Sequence, residues 1–526
     1  MKVLVSDNLS PVGVEILQKA GGIQVDVKTG LPKEELIKII PEYDGLVVRS
    51  ATKVTADIIE ASTKLRVIGR AGVGVDNIDL DAAGKKGIIV MNAPDGNTIT
   101  TGEHAMALLL SMSRNVAPAM WSLKHDKKWS PKTFMGVELF QKTLGIVGLG
   151  RIGTTVAERA KGFGMKILGY DPFINKERAD KLGVELVELD ELLRRSDFIT
   201  LHTPKIEGGK ALLGKAEFDK VKPGVRIVNC ARGPLIDTEA LIQAIQDKKV
   251  AQAALDVYEK EPLDPNSPLL GVDEIICTPH LGASTEEAQE KVAVAVCDQL
   301  VDYLKFGNIR NAVNMPSIDE ETLKQIKPFL ELGADLGKIA SQLITGALTR
   351  VRIQFCGEVA DLNVQPITIS VLKGLFENSI DGINMVNAPF MAKERGIQVE
   401  EIKSNEIKEY TNVIEVTAET KDGAWKVAGS IFGKGDPRIV SIDDTSFEAL
   451  ITPHMLVLKN KDVPGVIGKL GTTLGENKIN IAGFHLGRLD SGDAVSVINI
   501  DTPPTSETLR QLREIPNILQ VYSVVL

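Results

Sequence analysis

Residues 142–171 read KTLGIVGLGRIGTTVAERAKGFGMKILGYD, and this stretch decides the fold. The short apolar run TLGIV ends at Gly148-Leu149-Gly150-Arg151-Ile152-Gly153, after which apolar residues recur at helical spacing. Glycines placed in this way allow a tight turn, a close approach of backbone to a pyrophosphate, and close helix–strand packing. The helix N-terminus adds N–H groups and a positive dipole. The next run, KILGY, leads into Asp171, 18 residues after Gly153 and near the offset expected of a carboxylate that hydrogen-bonds an adenine ribose. A carboxylate there repels a 2′-phosphate, so the pattern predicts NAD rather than NADP.

Working outward, DFITLHT, VRIVNCARG, AQAALDVYE and EIICTPH continue the same sheet. Upstream, residues 1–96 alternate KVLVS, IQVDVKT, GLVVRS and LRVIGRAG with amphipathic stretches, the pattern of a second parallel sheet. The apolar helix TGEHAMALLLSMSRN lies between the two sheets, and a long helix, STEEAQEKVAVAVCDQLVDYLKFG, follows Ala283. From about 311 the alternation stops, and residues 320–453 mix a long helical stretch with β-patterned runs. The last 73 residues read βαββαβ, a ferredoxin-like order. The expected fold class is therefore α/β, with two doubly wound parallel-sheet (Rossmann-like) domains, an α+β intervening domain and a C-terminal ferredoxin-like domain.

The chain has 526 residues, enough for three or four domains, with 43% hydrophobic and 25% charged residues. With 61 Lys+Arg against 70 Asp+Glu, a net charge of −9, its general field disfavours nucleic acid and anionic membranes as partners. There is no signal-peptide pattern and no run long enough to span a membrane. Cys230, Cys277, Cys297 and Cys356 are too widely spaced for a disulfide framework or a metal site, so a cytoplasmic protein without a metal is expected.

Ligands in open α/β sheets lie outside the carboxyl ends of the strands. Thr203, Arg232, Asp256 and His280 each fall just past such an end, in LHTP, NCARG, ALDVYE and CTPHLG, and are expected to face one crevice. Beside a nicotinamide, Arg232 and His280 suit hydride transfer from a 2-hydroxy acid. The arginine fork grips a carboxylate, and the imidazole takes the hydroxyl proton. Glu261, in YEKEP, is the candidate to fix that imidazole's tautomer.

Together, GLGRIG, Asp171, NCARGPLIDTEAL, ALDVYEKEP and TPHLGAST resemble the D-isomer-specific 2-hydroxyacid dehydrogenases. The resemblance implies a catalytic trio of Arg232, Glu261 and His280. It also implies an NAD site formed by Gly148, Gly150, Arg151, Ile152, Gly153, Asp171, Thr203, Cys230, Ala231, Arg232, Asp256, His280, Gly282 and Ala283. It further implies a substrate-binding domain from 1–96 with 283–310, an NAD-binding domain at 97–282, an intervening regulatory or assembly domain at 311–453, and an ACT domain at 454–526.

The stretches VVRSATKVTADII, GRAGVGVDNIDLDAA and NAPDGNTITTGEHAMALLL resemble the long form of the branch that oxidises 3-phosphoglycerate. What this implies is NAD-dependent oxidation of 3-phospho-D-glycerate to 3-phosphooxypyruvate, the first step of the phosphorylated route to L-serine, in a homotetramer or homodimer. Such a substrate carries about three negative charges, so a local basic pocket is required against the net −9. Arg49 and Arg70, at strand ends, are the candidates for the phosphate; the backbone N–H groups of Gly72, Val73 and Gly74 suit the carboxylate or the phosphate as a small nest, and Asn97 adds a candidate hydrogen bond. Lys127, Lys128 and Lys132 form a basic run that suits a solvated face or a substrate contact. By resemblance to serine-sensing ACT units, Asn460, Asp462 and Asn480 would hold an L-serine effector. The first of these positions is His in some members and Asn here. Two alternatives stay open: another D-2-hydroxyacid dehydrogenase, of glycerate or glyoxylate type, or a non-enzymatic NADH sensor like the C-terminal binding protein corepressors.

Overall fold

The apolar runs of the N-terminal segment form β1 (Lys2–Val5), β2 (Gln24–Val27), β3 (Gly45–Val48), β4 (Val67–Arg70) and β5 (Ile89–Asn92). They make an all-parallel sheet of order β2-β1-β3-β4-β5. Every residue of β3 and β5 is buried, as expected where helices cover both faces of a parallel sheet. The computed structural model describes the chain except residues 207, 317–319, 405–409, 434 and 444 and the side chains of 320 and 321.

The second sheet contains β6 (Thr143–Val147), β7 (Lys166–Tyr170), β8 (Glu185–Leu186), β9 (Phe198–Leu201), β10 (Val225–Asn229), β11 (Val250–Leu255) and β12 (Ile275–Cys277). Its order is β12-β11-β10-β9-β6-β7-β8, all parallel. The order reverses between β6 and β9, which opens a crevice over the carboxyl ends of those strands. The helix Thr98–Ser113 carries the chain from the first sheet to the second, and Glu286–Phe306 carries it back. The return helix lies close over β4 because Gly69 has no side chain: a Cβ there would stand 2.4 Å from Leu300 Cδ1.

Residues 311–314 then add to the edge of β5. Asn92 N donates to Asn311 O and Val313 N to Val90 O, while the Asn314 amide bonds both Val90 N and Ile88 O. The boundary expected at 311 therefore falls inside a segment bonded to the first sheet. An edge so short leaves no periodicity to read.

The third sheet has six strands in the order 398–404, 348–357, 412–420, 423–432, 436–442, 445–450, with the helices Glu320–Leu343 and Gln365–Glu377 packed beside it. The fourth sheet is antiparallel, in the order Ile481–Arg488, Asp493–Ile500, His454–Lys461, Ile518–Val525, and its elements follow the expected βαββαβ sequence. Met455, Val457, Val495, Val497 and Val524 of this sheet share one apolar cluster with Leu332, Leu336, Ile339 and Trp425, so the last two domains have a common core. Among the described residues, no helix is long and apolar enough to cross a membrane, and no group of three or more His, Cys, Asp or Glu is placed to hold a metal ion.

Candidate active site

The glycine turn after β6 is built by close contact. Gly148 has φ +93°, and a Cβ there would lie 2.6 Å from His202 O; a Cβ on Gly153 would lie 1.9 Å from Gly148 O. Gly150, by contrast, has nothing within 4 Å of its Cβ position, which leaves open space above the first turn of the helix Arg151–Gly162. Asp171 is fixed against this turn, with Oδ2 accepting from Leu149 N (2.8 Å) and Oδ1 from Phe173 N (2.9 Å). These residues fit a dinucleotide: helix N–H groups and space for a pyrophosphate, and a carboxylate for a ribose hydroxyl. The Arg151 guanidinium, beside Ile152, lies 2.8 Å from Asp95 at the crossover. Thr203 packs its methyl against the Gly148 turn and leaves Oγ1 buried without a partner. The neighbouring His202 is held neutral by burial, which pushes its pKa down to about 4.

Beyond the ends of β10, β11 and β12 the sequence candidates come together. His280 Nδ1 lies 2.6 Å from Glu261 Oε2, and the other Glu261 oxygen accepts from Tyr258 N (3.1 Å). The Glu261 bond raises the His280 pKa above the ordinary histidine value. In return, against the upward push of burial, His280 holds Glu261 below the usual glutamate range. A proton on Nδ1 facing Glu261 leaves Nε2 free to accept another. Asp256 is fully buried and accepts from Leu281 N (2.7 Å), Gly282 N (2.8 Å) and Thr278 Oγ1 (2.7 Å), which fixes the loop running into Ala283. Cys230 is buried and its thiol pKa is pushed up by that burial; Ala231 N is held by Asn229 Oδ1 at 3.0 Å.

Three arginines from two sheets meet at this point. Arg232 donates from Nη1 to Ala231 O (2.7 Å) and from Nε to Asp76 Oδ2 (3.0 Å), a residue of the first domain. The pKa of Arg70 is pushed down to about 10, first by burial and then by the charges of Arg232 and Arg49. Arg49 is anchored through Nη1 to Asn8 O (3.0 Å). Gly72 and Gly74 make room for these side chains: a Cβ would stand 1.6 Å from Arg70 Nη1 in one case and 2.3 Å from Arg232 Nη2 in the other. Val73 O, between them, accepts from Asn92 Nδ2 at 2.5 Å. Asn97 starts the helix Thr98–Ser113 with a buried Oδ1 that has no partner.

The remaining candidates are not gathered in this way. Lys127, Lys128 and Lys132 lie on an exposed segment, with Lys127 Nζ bonded locally to Lys124 O. In the last domain Asn460 bonds Lys461 O, Asp462 pairs with Arg488, and Asn480 bonds Asp501, so each has its own partner.

Residues 106–282 match the NAD binding domain of the D-isomer specific 2-hydroxyacid dehydrogenases, 325–443 the D-3-phosphoglycerate dehydrogenase intervening domain, and 454–517 the ACT domain. A D-3-phosphoglycerate dehydrogenase of Archaeoglobus fulgidus is 45% identical, with 100% of both chains covered. One from Bacillus subtilis is 40% identical over 99% of this chain and 98% of that one. The chain belongs to the D-3-phosphoglycerate dehydrogenase family. Among solved structures, a Thermus thermophilus protein superposes with a TM-score of 0.55 at 34% identity, covering 60% of this chain and all of its own. An NAD-dependent formate dehydrogenase of Staphylococcus aureus, in complex with NAD, gives 0.54 at 26% identity, again over 60% of this chain and 100% of that one.

For a D-3-phosphoglycerate dehydrogenase, two residues of the arginine site went unread in the sequence: Asp76, which fixes Arg232, and Asn92, which fixes the Gly72–Gly74 loop. The signal was present in GVGVDNID, where a carboxylate follows two closely spaced glycines, but only the fold shows which arginine it meets.

Proposed function

We propose that this protein oxidises 3-phospho-D-glycerate to 3-phosphooxypyruvate with NAD, the first step of the phosphorylated route to L-serine. The observation that carries this reading is the convergence of Arg49, Arg70 and Arg232 beside the His280–Glu261 pair. Three guanidinium groups against two nearby carboxylates, Asp76 and Asp7, leave a cationic pocket in an acidic chain, suited to an anionic substrate. A hydroxy acid without a phosphate needs only one of them.

Arg232, with Nε committed to Asp76 and Nη1 to Ala231 O, offers Nη2 to the substrate carboxylate and so orients the carbon that loses hydride. Arg49 and Arg70, the N–H groups of Val73 and Gly74, and Asn97 receive the phosphate end, whereas the expected Gly72 N–H is turned to Arg70 O at 2.8 Å. Bound NAD, held by Gly148, Gly150, Arg151, Ile152, Gly153, Asp171 and Thr203, with Cys230, Ala231, Asp256, Gly282 and Ala283 at the strand ends, supplies the hydride acceptor. His280 Nε2 takes the hydroxyl proton as the C–H bond breaks and the ketone forms, and Glu261 stabilises the imidazolium.

The test is NADH formation with 3-phosphoglycerate, with D-glycerate and with H280A. We expect turnover on the phosphorylated substrate only, abolished in H280A while NAD still binds. Equal turnover of D-glycerate, or an active H280A, would sink the assignment. Adding L-serine to the same assay tests Asn460, Asp462 and Asn480 as an effector site. We assign a homodimer or homotetramer from the apolar side chains exposed on one stretch of the second domain, among them Trp121 (58%), Trp129 (83%) and Met135 (83%). Light scattering reads the mass. The few, widely spaced cysteines suit a reducing cytoplasm, which cell fractionation checks.

A further inference from the structure

His280 has φ +55°, a left-handed backbone that a histidine keeps only where its surroundings over-determine it. The restraint is visible in the structure. The two N–H groups after it, of Leu281 and Gly282, converge on the buried Asp256 carboxylate, and its own N–H donates to Thr278 O at 3.0 Å. Asp256 is thus the clamp on the backbone of the proposed acid/base, and it is an anion with no exposure of its own.

A carboxylate removed from water needs donors around it. Asp256 takes three from its own strand-end loops, and one further polar group approaches from elsewhere: His104 Nε2, 3.1 Å from Oδ1 and without a well-aligned hydrogen bond. His104 lies on the helix Thr98–Ser113. One turn earlier on the same helix face, Thr101 Oγ1 donates to Gly282 O at 2.9 Å. A Cβ on Gly282 would fall 3.2 Å from Asp256 Oδ2 and 3.4 Å from Thr101 Cγ2, so the segment is gripped between the helix and the carboxylate with no slack. The helix is itself the crossover between the two domains. Nothing in the proton or hydride transfer uses His104.

We propose that His104 is a positioning residue: its Nε2, 3.1 Å from Asp256 Oδ1, keeps the carboxylate in the orientation that receives Leu281 and Gly282, and through them sets the His280 ring. The inference rests on the reading of His280 as acid/base. Glutamine can place an amide N–H where Nε2 stands, whereas asparagine is too short and leucine has no donor.

The experiment compares H104L, H104N and H104Q in steady-state oxidation of 3-phosphoglycerate, with thermal unfolding of each. A mispositioned general base loses part of a contribution of about 10²- to 10⁴-fold. In H104L and H104N, kcat is expected to fall about tenfold or more, with the KM for 3-phosphoglycerate nearly unchanged. H104Q should recover most of the loss, and melting temperatures should stay close to that of the parent. Parental kcat in both H104L and H104N overturns the inference, and so does an equal fall in all three variants. If H104L fails to fold, the contrast between H104N and H104Q decides alone. An active H280A would refute the acid/base reading itself, whereas an inactive H280A with an unaffected H104L refutes only the role of His104.

Discussion

Substituting Gly74 by alanine probes the arginine site with one methyl group. Its backbone lies outside the left-handed region, so alanine brings no conformational strain there, only volume. The new Cβ would stand 2.3 Å from Arg232 Nη2, where ordinary contact begins at 3.4 Å, so the guanidinium must retreat by about 1 Å. Asp76 Oδ2, 3.0 Å from the same point, sits close to the limit and can yield by tenths of an ångström. A shift of that size breaks one well-aligned hydrogen bond to a charged group, which is worth about 1.5–3 kcal/mol. At about 1.36 kcal/mol per factor of ten, kcat/KM for 3-phosphoglycerate should fall by roughly 10- to 150-fold. Initial rates of NADH formation over a range of substrate measure the loss. A kcat/KM within about threefold of the parent would mean that Arg232 does not grip the substrate carboxylate where it stands.

Two further outcomes follow from the same geometry. In E261Q the charge that raises the His280 pKa is lost. Because His280 must be deprotonated to accept the hydroxyl proton, the acid limb of the kcat/KM profile should move to lower pH while maximal turnover falls; an unmoved limb would separate Glu261 from the titration. In D171S the carboxylate that repels a 2′-phosphate is gone, so the ratio of kcat/KM with NAD to that with NADP should drop by about tenfold or more, and a constant ratio would refute the role of Asp171.

The glycine fingerprint and the Asp171 offset were legible in one dimension because both depend on short-range backbone needs: a turn at Gly148, contact at Gly153, and an acidic residue where the next strand stops. Thr203, Arg232, Asp256 and His280 could be placed at strand ends for the same reason, since a parallel sheet with both faces covered writes its strands as apolar runs. The extra edge at 311–314 could not be read, because four residues of edge pairing leave no pattern. The sharing of one core by the last two domains was hidden as well, because a buried sheet face looks the same whichever partner covers it.

Chemical identity divides along a similar line. Periodicity, glycine spacing and residue type determine two doubly wound sheets, a dinucleotide turn with a preference for NAD, and an arginine, a glutamate and a histidine fit for oxidising a hydroxy acid. Only the tertiary structure brings Arg49 and Arg70 to Arg232, sets Asp76 against that arginine, and places His104 at the buried Asp256. Those contacts join residues far apart in the chain, on different elements or in different domains. They are decided by how the two sheets and the crossover helix pack against each other, a relation that no local spacing encodes.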